Sequence, residues 1–175
     1  MVKVHPGLSM WRSILGQSIL DAARELNLDT VFIDVTLVSH NLHNCFVEAT
    51  TPTEGMNKII HHVASLGDGL VVGGEGLNEI TMQGLSFAQA HLFKSWHSSI
   101  EGLERTGGCN LNDFLFGKLC RTFGYSNLSG HNEEQTLRMK MHLEHGAIPT
   151  VTIRSAKDIE SPNPAVKQML DLAGS

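Results

Sequence analysis

Apolar, β-branched runs too short to be helices recur along this 175-residue chain between stretches of helical periodicity, and that alternation limits its folds more than any other feature. In "SMWRSILGQSILDAARELN", residues Ser9 to Asn27, Trp11, Ile14, Leu15, Ile19, Leu20, Ala23 and Leu26 fall at helical spacing, with Ser9 as N-cap. "LDTVFIDVT" follows and predicts a buried strand over Thr30 to Asp34. After a long loop from Thr36 to Thr53, "TPTEGMNKIIHHVASL" predicts a helix capped by Thr53, and "GDGLVVGGEG" a strand ending near Gly73 or Gly74. "MQGLSFAQAHLFKSWHSSI" reads as helix, whereas "NLNDFLFGKLCRTFGY" fits a strand, a helix or one after the other. The remainder predicts a helix stopped at Gly146, a strand in "AIPTVTI" and a closing helix in "NPAVKQMLDLA".

Strands separated by helices imply parallel pairing with crossover helices, an α/β fold. An open doubly wound sheet and a (β/α)8 barrel both satisfy the order. A barrel takes about 250 residues, so this chain would hold about four βα units, roughly half of one. The expectation is a single α/β domain over residues 1–175, either a piece of a larger barrel or a compact open sheet. Neither G-x-G-x-x-G nor a P-loop follows a strand, because "GGEG" lacks the spacing and the Lys.

Composition removes several classes. A hydrophobic content of 41% with 18% charged residues suits a folded domain with a real core. A net charge of -5 without a Lys or Arg cluster gives no footprint for nucleic acid. No signal peptide or membrane-length apolar run is legible, so no membrane partner is expected and localisation stays open. The three cysteines Cys45, Cys109 and Cys120 are far apart and suggest thiols rather than a disulfide framework or zinc ribbon.

Functional groups of α/β proteins collect at the C-terminal ends of strands, and Asp34 and Glu75 hold that position on consecutive strands. Neighbouring strands lie about 4.8 Å apart, and retaining glycosidases need carboxyl groups about 5 to 5.5 Å apart. Glu79, farther along the loop, would suit the inverting separation of about 6.5 to 9.5 Å. Both carboxylates also admit a structural role, because an acid after a strand often caps the next turn or helix. The glycines flanking Glu75 free the backbone and clear room for a close ligand.

"HPG" at His5 to Gly7, followed by a Trp, by "DTVFIDVT" and by "VVGGEGLNE", resembles the catalytic half of (β/α)8-barrel glycoside hydrolases related to the endo-α-N-acetylgalactosaminidases and retaining α-galactosidases. The likeness covers roughly residues 5 to 80, with a weaker echo in "LFGKLCRTFGY" and "EHGAIPTVTI". It implies the C-terminal half of a barrel, with Asp34 as nucleophile, Glu75 as acid/base, Glu79 as the fallback for that role, and no organic cofactor. A carbohydrate substrate also requires polar groups for its hydroxyls. Thr36, His40, Asn41, His43 and Asn44 in the loop after Asp34, with Arg121 and Arg154, are candidates, although such residues more often serve as solvated surface or structural ion pairs.

Two other classes compete. Ten histidines invite a metal-dependent hydrolase built on His40, His43, His61, His62 and Glu75, but adjacent His61 and His62 would point to different helix faces and no H-E-x-x-H is present. No metal ligand set is therefore assigned. A non-catalytic sugar-binding or assembly module is the alternative, in which a second copy or the remainder of the barrel covers exposed strand edges.

Overall fold

The computed structural model of the chain describes residues 4–36, 45–67, 69–89, 111–124, 139–140, 143–144, 146–148 and 150–174. It is an α/β fold, whose strands β1 (Thr30–Ile33), β2 (Val71–Glu75), β3 (Phe87–Gln89) and β4 (Arg121–Phe123) form one parallel sheet in the order β1-β2-β3-β4. The chain gathers into two compact units, residues 1–88 and 89–175, with β3 running across the boundary.

In the first unit, helix α1 (Ser9–Leu26) leads into β1, and α2 (Pro52–Ala64) leads into β2. The two strands pair in parallel register, Thr30 with Val71, Val31 with Val72, Phe32 with Gly73 and Ile33 with Gly74. Ile59, Ile60 and Val63 form the buried face of α2, and Val72, Leu85 and Ala88 complete the core. Burial of such side chains stabilises the fold by about 1.5–3 kcal/mol each for the larger ones, which outweighs the cost of fixing their rotamers. The helices meet at Gly16, where the His62 ring occupies space that a Cβ would need.

The helix starts differ from the sequence-based expectation. Thr51, rather than Thr53, caps α2 by accepting from the Glu54 N–H at 3.2 Å, with Pro52 in the first turn. Leu8 holds the N-cap position of α1, and Ser9 is already helical. The carboxylate of Glu48, 39 residues away, accepts from the Ser9 N–H and from its hydroxyl at 2.9 Å, placing a negative charge where the helix dipole favours it.

The expected helix after Met82 is also corrected, because Ser86 instead donates its N–H to the Val72 carbonyl and Phe87–Gln89 form β3. A Cβ on Gly73 would lie 2.2 Å from the Phe87 ring, so the glycine makes the depression that this ring fills. Packing of Phe87 and complete burial of Ala88 override local helical preference. Residues 90–100 of that expected helix lie outside the described residues.

In the second unit, the ambiguous segment resolves into a helix, α3 (Leu111–Phe116), followed by β4. The Ile148 N–H donates to the Thr122 carbonyl at 2.8 Å, but the described residues of the expected strand, 147–148 and 150–153, are not in a strand, and Pro149 lies outside the described residues. Gly146 adopts φ +65°, consistent with its expected role as a helix stop. After a short helix α4 (Lys157–Glu160), α5 (Pro164–Ala173) is capped by Asn163, whose side chain accepts from the Val166 N–H at 2.8 Å. Met139 and Met169 are buried together against Leu143 and Val151. Among the described residues, no helix is long and apolar enough to cross a membrane.

Candidate active site

The register of β1 and β2 ends at Ile33 and Gly74, so Asp34 and Glu75 each stand one residue beyond the last registered pair, at the C-terminal ends of neighbouring parallel strands. Asp34 is exposed, and its carboxylate makes no hydrogen bond or ion pair among the described residues. The next residue, Val35, turns the chain with φ +59°, a conformation unfavourable for a β-branched side chain. Its N–H donates to Glu75 Oε2 at 3.0 Å. Thr36 is completely buried and its hydroxyl donates to the Glu75 carbonyl. The turn carrying Asp34 is thus fastened to both the side chain and the backbone of Glu75.

Thr36, expected as a sugar contact, is consumed by that fastening. The glycines before Glu75 also have an internal purpose. A Cβ on Gly73 would collide with Phe87, and one on Gly74 would come within 2.8 Å of Leu85 and 3.2 Å of Thr36. Their space is filled by the protein's own side chains, so of the glycines flanking Glu75, Gly74 clears no room for a ligand.

Glu79 is exposed, and its carboxylate makes no hydrogen bond or ion pair among the described residues. Its neighbour Asn78 braces the 3-10 turn Thr81–Gly84 by accepting from the N–H groups of Ile80 and Thr81 at 2.9 and 2.8 Å. Asn57 of α2 donates to the Ile80 carbonyl at 3.0 Å, so Glu79 projects from a segment anchored to the core.

His40, Asn41, His43 and Asn44 lie outside the described residues. Arg121 and Arg154 belong to the second unit and are exposed. Around Arg154, the Asp158 carboxylate accepts from the backbone N–H groups of Arg154 and Ser155, both at 2.9 Å, and these bonds hold its pKa below the ordinary carboxylate range. Burial pushes the Cys120 thiol up to about 11, which leaves it protonated at neutral pH. Cys45, by contrast, is exposed.

His61 and His62 point to different neighbours, His61 toward Gly84 and His62 toward Gly16. Among the described residues, no group of three or more His, Cys, Asp or Glu side chains is close enough to hold a metal ion. Two residues with structural roles escaped the sequence reading: Glu48, which caps a helix distant in sequence, and His5, whose ring lies between two backbone groups. The contacts to Cys45 and Ser9 leave no local signal, because they span 40 and 39 residues and form only once the chain has folded.

Two strand-end carboxylates side by side, one exposed and one hydrogen-bonded, are chemically suited to bond cleavage in which one group attacks and the other handles a proton. Compared with protein-family models, with curated proteins and with solved structures, the chain matches none.

Proposed function

We propose that the chain is a retaining glycoside hydrolase-like domain, its βα units forming about half of a (β/α)8 barrel. The observation that carries the reading is the in-register parallel pairing of β1 and β2, which leaves Asp34 and Glu75 at adjacent strand ends. Strand spacing of about 4.8 Å is compatible with the retaining separation of about 5 to 5.5 Å.

In this mechanism an Asp34 oxygen attacks the anomeric carbon while the Glu75 carboxyl gives its proton to the departing glycosidic oxygen. The bond to the leaving group breaks and a glycosyl ester forms on Asp34. Glu75, now a carboxylate, takes a proton from water; the hydroxide equivalent attacks the anomeric carbon and releases Asp34. The Val35 N–H on Oε2 orients the Glu75 carboxyl group toward the β1 end. Glu79 is the fallback acid/base because it is exposed on a braced segment nearby in sequence.

The test uses a panel of α- and β-linked aryl glycosides with the full chain and its Asp34→Asn, Glu75→Gln and Glu79→Gln variants. Hydrolysis by the wild type is expected to fall by about 10³-fold or more in Asp34→Asn. The acid/base variant is expected to lose about 10²- to 10⁴-fold on poor leaving groups, keep its rate on activated ones and respond to added azide. Binding of sugar without turnover would move the reading to a carbohydrate-binding module. Full activity in Asp34→Asn would remove the nucleophile assignment.

A further inference from the structure

The His5-Pro6-Gly7 motif has no part in that chemistry, yet Pro6 and Gly7 are buried and the His5 ring bridges two distant pieces of backbone. The Gly7 N–H donates to His5 Nδ1 at 2.9 Å, so Nδ1 must present a lone pair. On the other side of the ring, Nε2 lies 3.2 Å from the Cys45 carbonyl, which can only accept, so Nε2 must carry the proton. Only the neutral Nε2–H tautomer satisfies both contacts; an imidazolium or the opposite tautomer loses at least one.

The contact closes a span of 40 residues, from the turn before α1 to the segment that leads into α2. That segment is a tight reversal in which Val47 and Thr50 exchange backbone bonds at 3.2 and 3.0 Å, while Glu48 and Ala49 both take positive φ. Two non-glycine residues in that region are strained and need outside support. Glu48 is held on Ser9, and buried Thr50 accepts from the Lys58 ammonium at 2.9 Å. Arg12 donates to the Gly7 carbonyl at 2.6 Å, and Gly55 of α2 approaches so closely that a Cβ there would lie 2.4 Å from the Gly7 nitrogen. The charged groups on the elements packed around the turn are thus Arg12, Glu48, Glu54 and Lys58. In a run of βα units the helices begin at the end where the strands finish, so this knot lies on the same side of the first unit as Asp34 and Glu75.

We propose that His5 is a positioning residue: its neutral Nε2–H ring pins Cys45–Thr50, the segment that leads into α2, against the starts of α1 and α2, at the end of the first unit that carries Asp34 and Glu75, and so steadies the surroundings of the substrate site. The consequence for substrate rests on the glycosidase reading; the tautomer and the tie do not.

The test combines ¹⁵N NMR of the His5 ring in the wild-type chain with amide exchange and aryl-glycoside kinetics of His5→Asn and His5→Phe. An Asn oxygen can still accept from the N–H two residues on, but its side chain is too short to reach Cys45; Phe loses both bonds. The ring is expected to be Nε2–H at neutral pH. Exchange at Val47 and Thr50 is expected to accelerate about tenfold in both variants, the scale of one ordinary hydrogen bond, with Ile59 and Ile60 unchanged and KM rising more than kcat falls. An imidazolium or Nδ1–H ring, or a His5→Asn protein that exchanges like wild type, would overturn the proposal. Absence of any glycoside turnover would instead count against the glycosidase reading while NMR and exchange still decide the tie.

Discussion

The ends of β1 and β2 are equivalent places in neighbouring parallel strands, and they hold carboxylates in unlike conditions. Asp34 is exposed, without a partner among the described residues. Glu75 is half-buried, accepts from the Val35 N–H and lends its carbonyl to Thr36. The difference has a direction: the second strand's acid holds the turn that carries the first strand's acid. One carboxylate is left open to solvent, while its neighbour fixes the turn that carries it.

The largest expected disturbance of this arrangement is Gly73→Ala. The new methyl would meet the Phe87 ring, and relief requires shifting β2 or β3, a cost of about 1–3 kcal/mol in the denaturation midpoint. Adding Phe87→Ala should recover part of that cost as a non-additive term in a double-mutant cycle. A fully additive pair would show that the ring does not occupy the glycine's space.

Next in size is the contrast between the acids themselves. Glu75→Ala removes the acceptor for Val35 and should destabilise by about 1–2 kcal/mol, whereas Asp34→Ala should stay within about 0.5 kcal/mol. Equal effects in urea unfolding would erase the distinction. Val35→Gly sharpens it from the other strand, since glycine accepts φ +59° without a Cβ penalty. Relief of that strain, less the extra freedom of the unfolded chain, should stabilise by about 0.5 kcal/mol.

Effects in the second unit act as pH controls on the comparison. Cys120 is raised to about 11, so the unfolded chain ionises first; stability from this thiol is present below the ordinary thiol range and declines as pH rises toward about 11. Asp158 is lowered, so its contribution is present above the ordinary carboxylate range and is lost as pH falls through its folded value. Urea midpoints measured across both ranges should show the Asp158 slope disappear in Asp158→Asn.

Much of the first unit is legible in the sequence because apolar periodicity marks its elements, although β1, expected to be a buried strand, is exposed or half-buried along its length and α1 buries only Gly16. The helix from Ser9, the strand from Thr30, the helix through Val63 and the strand through Val72 all emerge where expected. The Thr51-Pro52-Thr53-Glu54 box carries a helix-start signature, a Thr three residues before a Glu, that the expectation of Thr53 as the cap overlooked. Other features are illegible for a physical reason. Ser9 resembles an N-cap until Glu48 arrives from 39 residues away, and Phe87 resembles a helical residue until Gly73 opens a place for it. The positions of Asp34 and Glu75 follow from strand patterning, but the unequal hold on them arises from a turn at Val35 that no local rule forecasts.

The most direct measurement is peptide mapping by mass spectrometry after the chain meets activated 2-deoxy-2-fluoro glycosides, which slow release of a glycosyl-enzyme. The account predicts one glycosyl group esterified to Asp34, absent from Asp34→Asn. Turnover accompanied by a label on Glu75 or Glu79, with Asp34 unmodified, would contradict it.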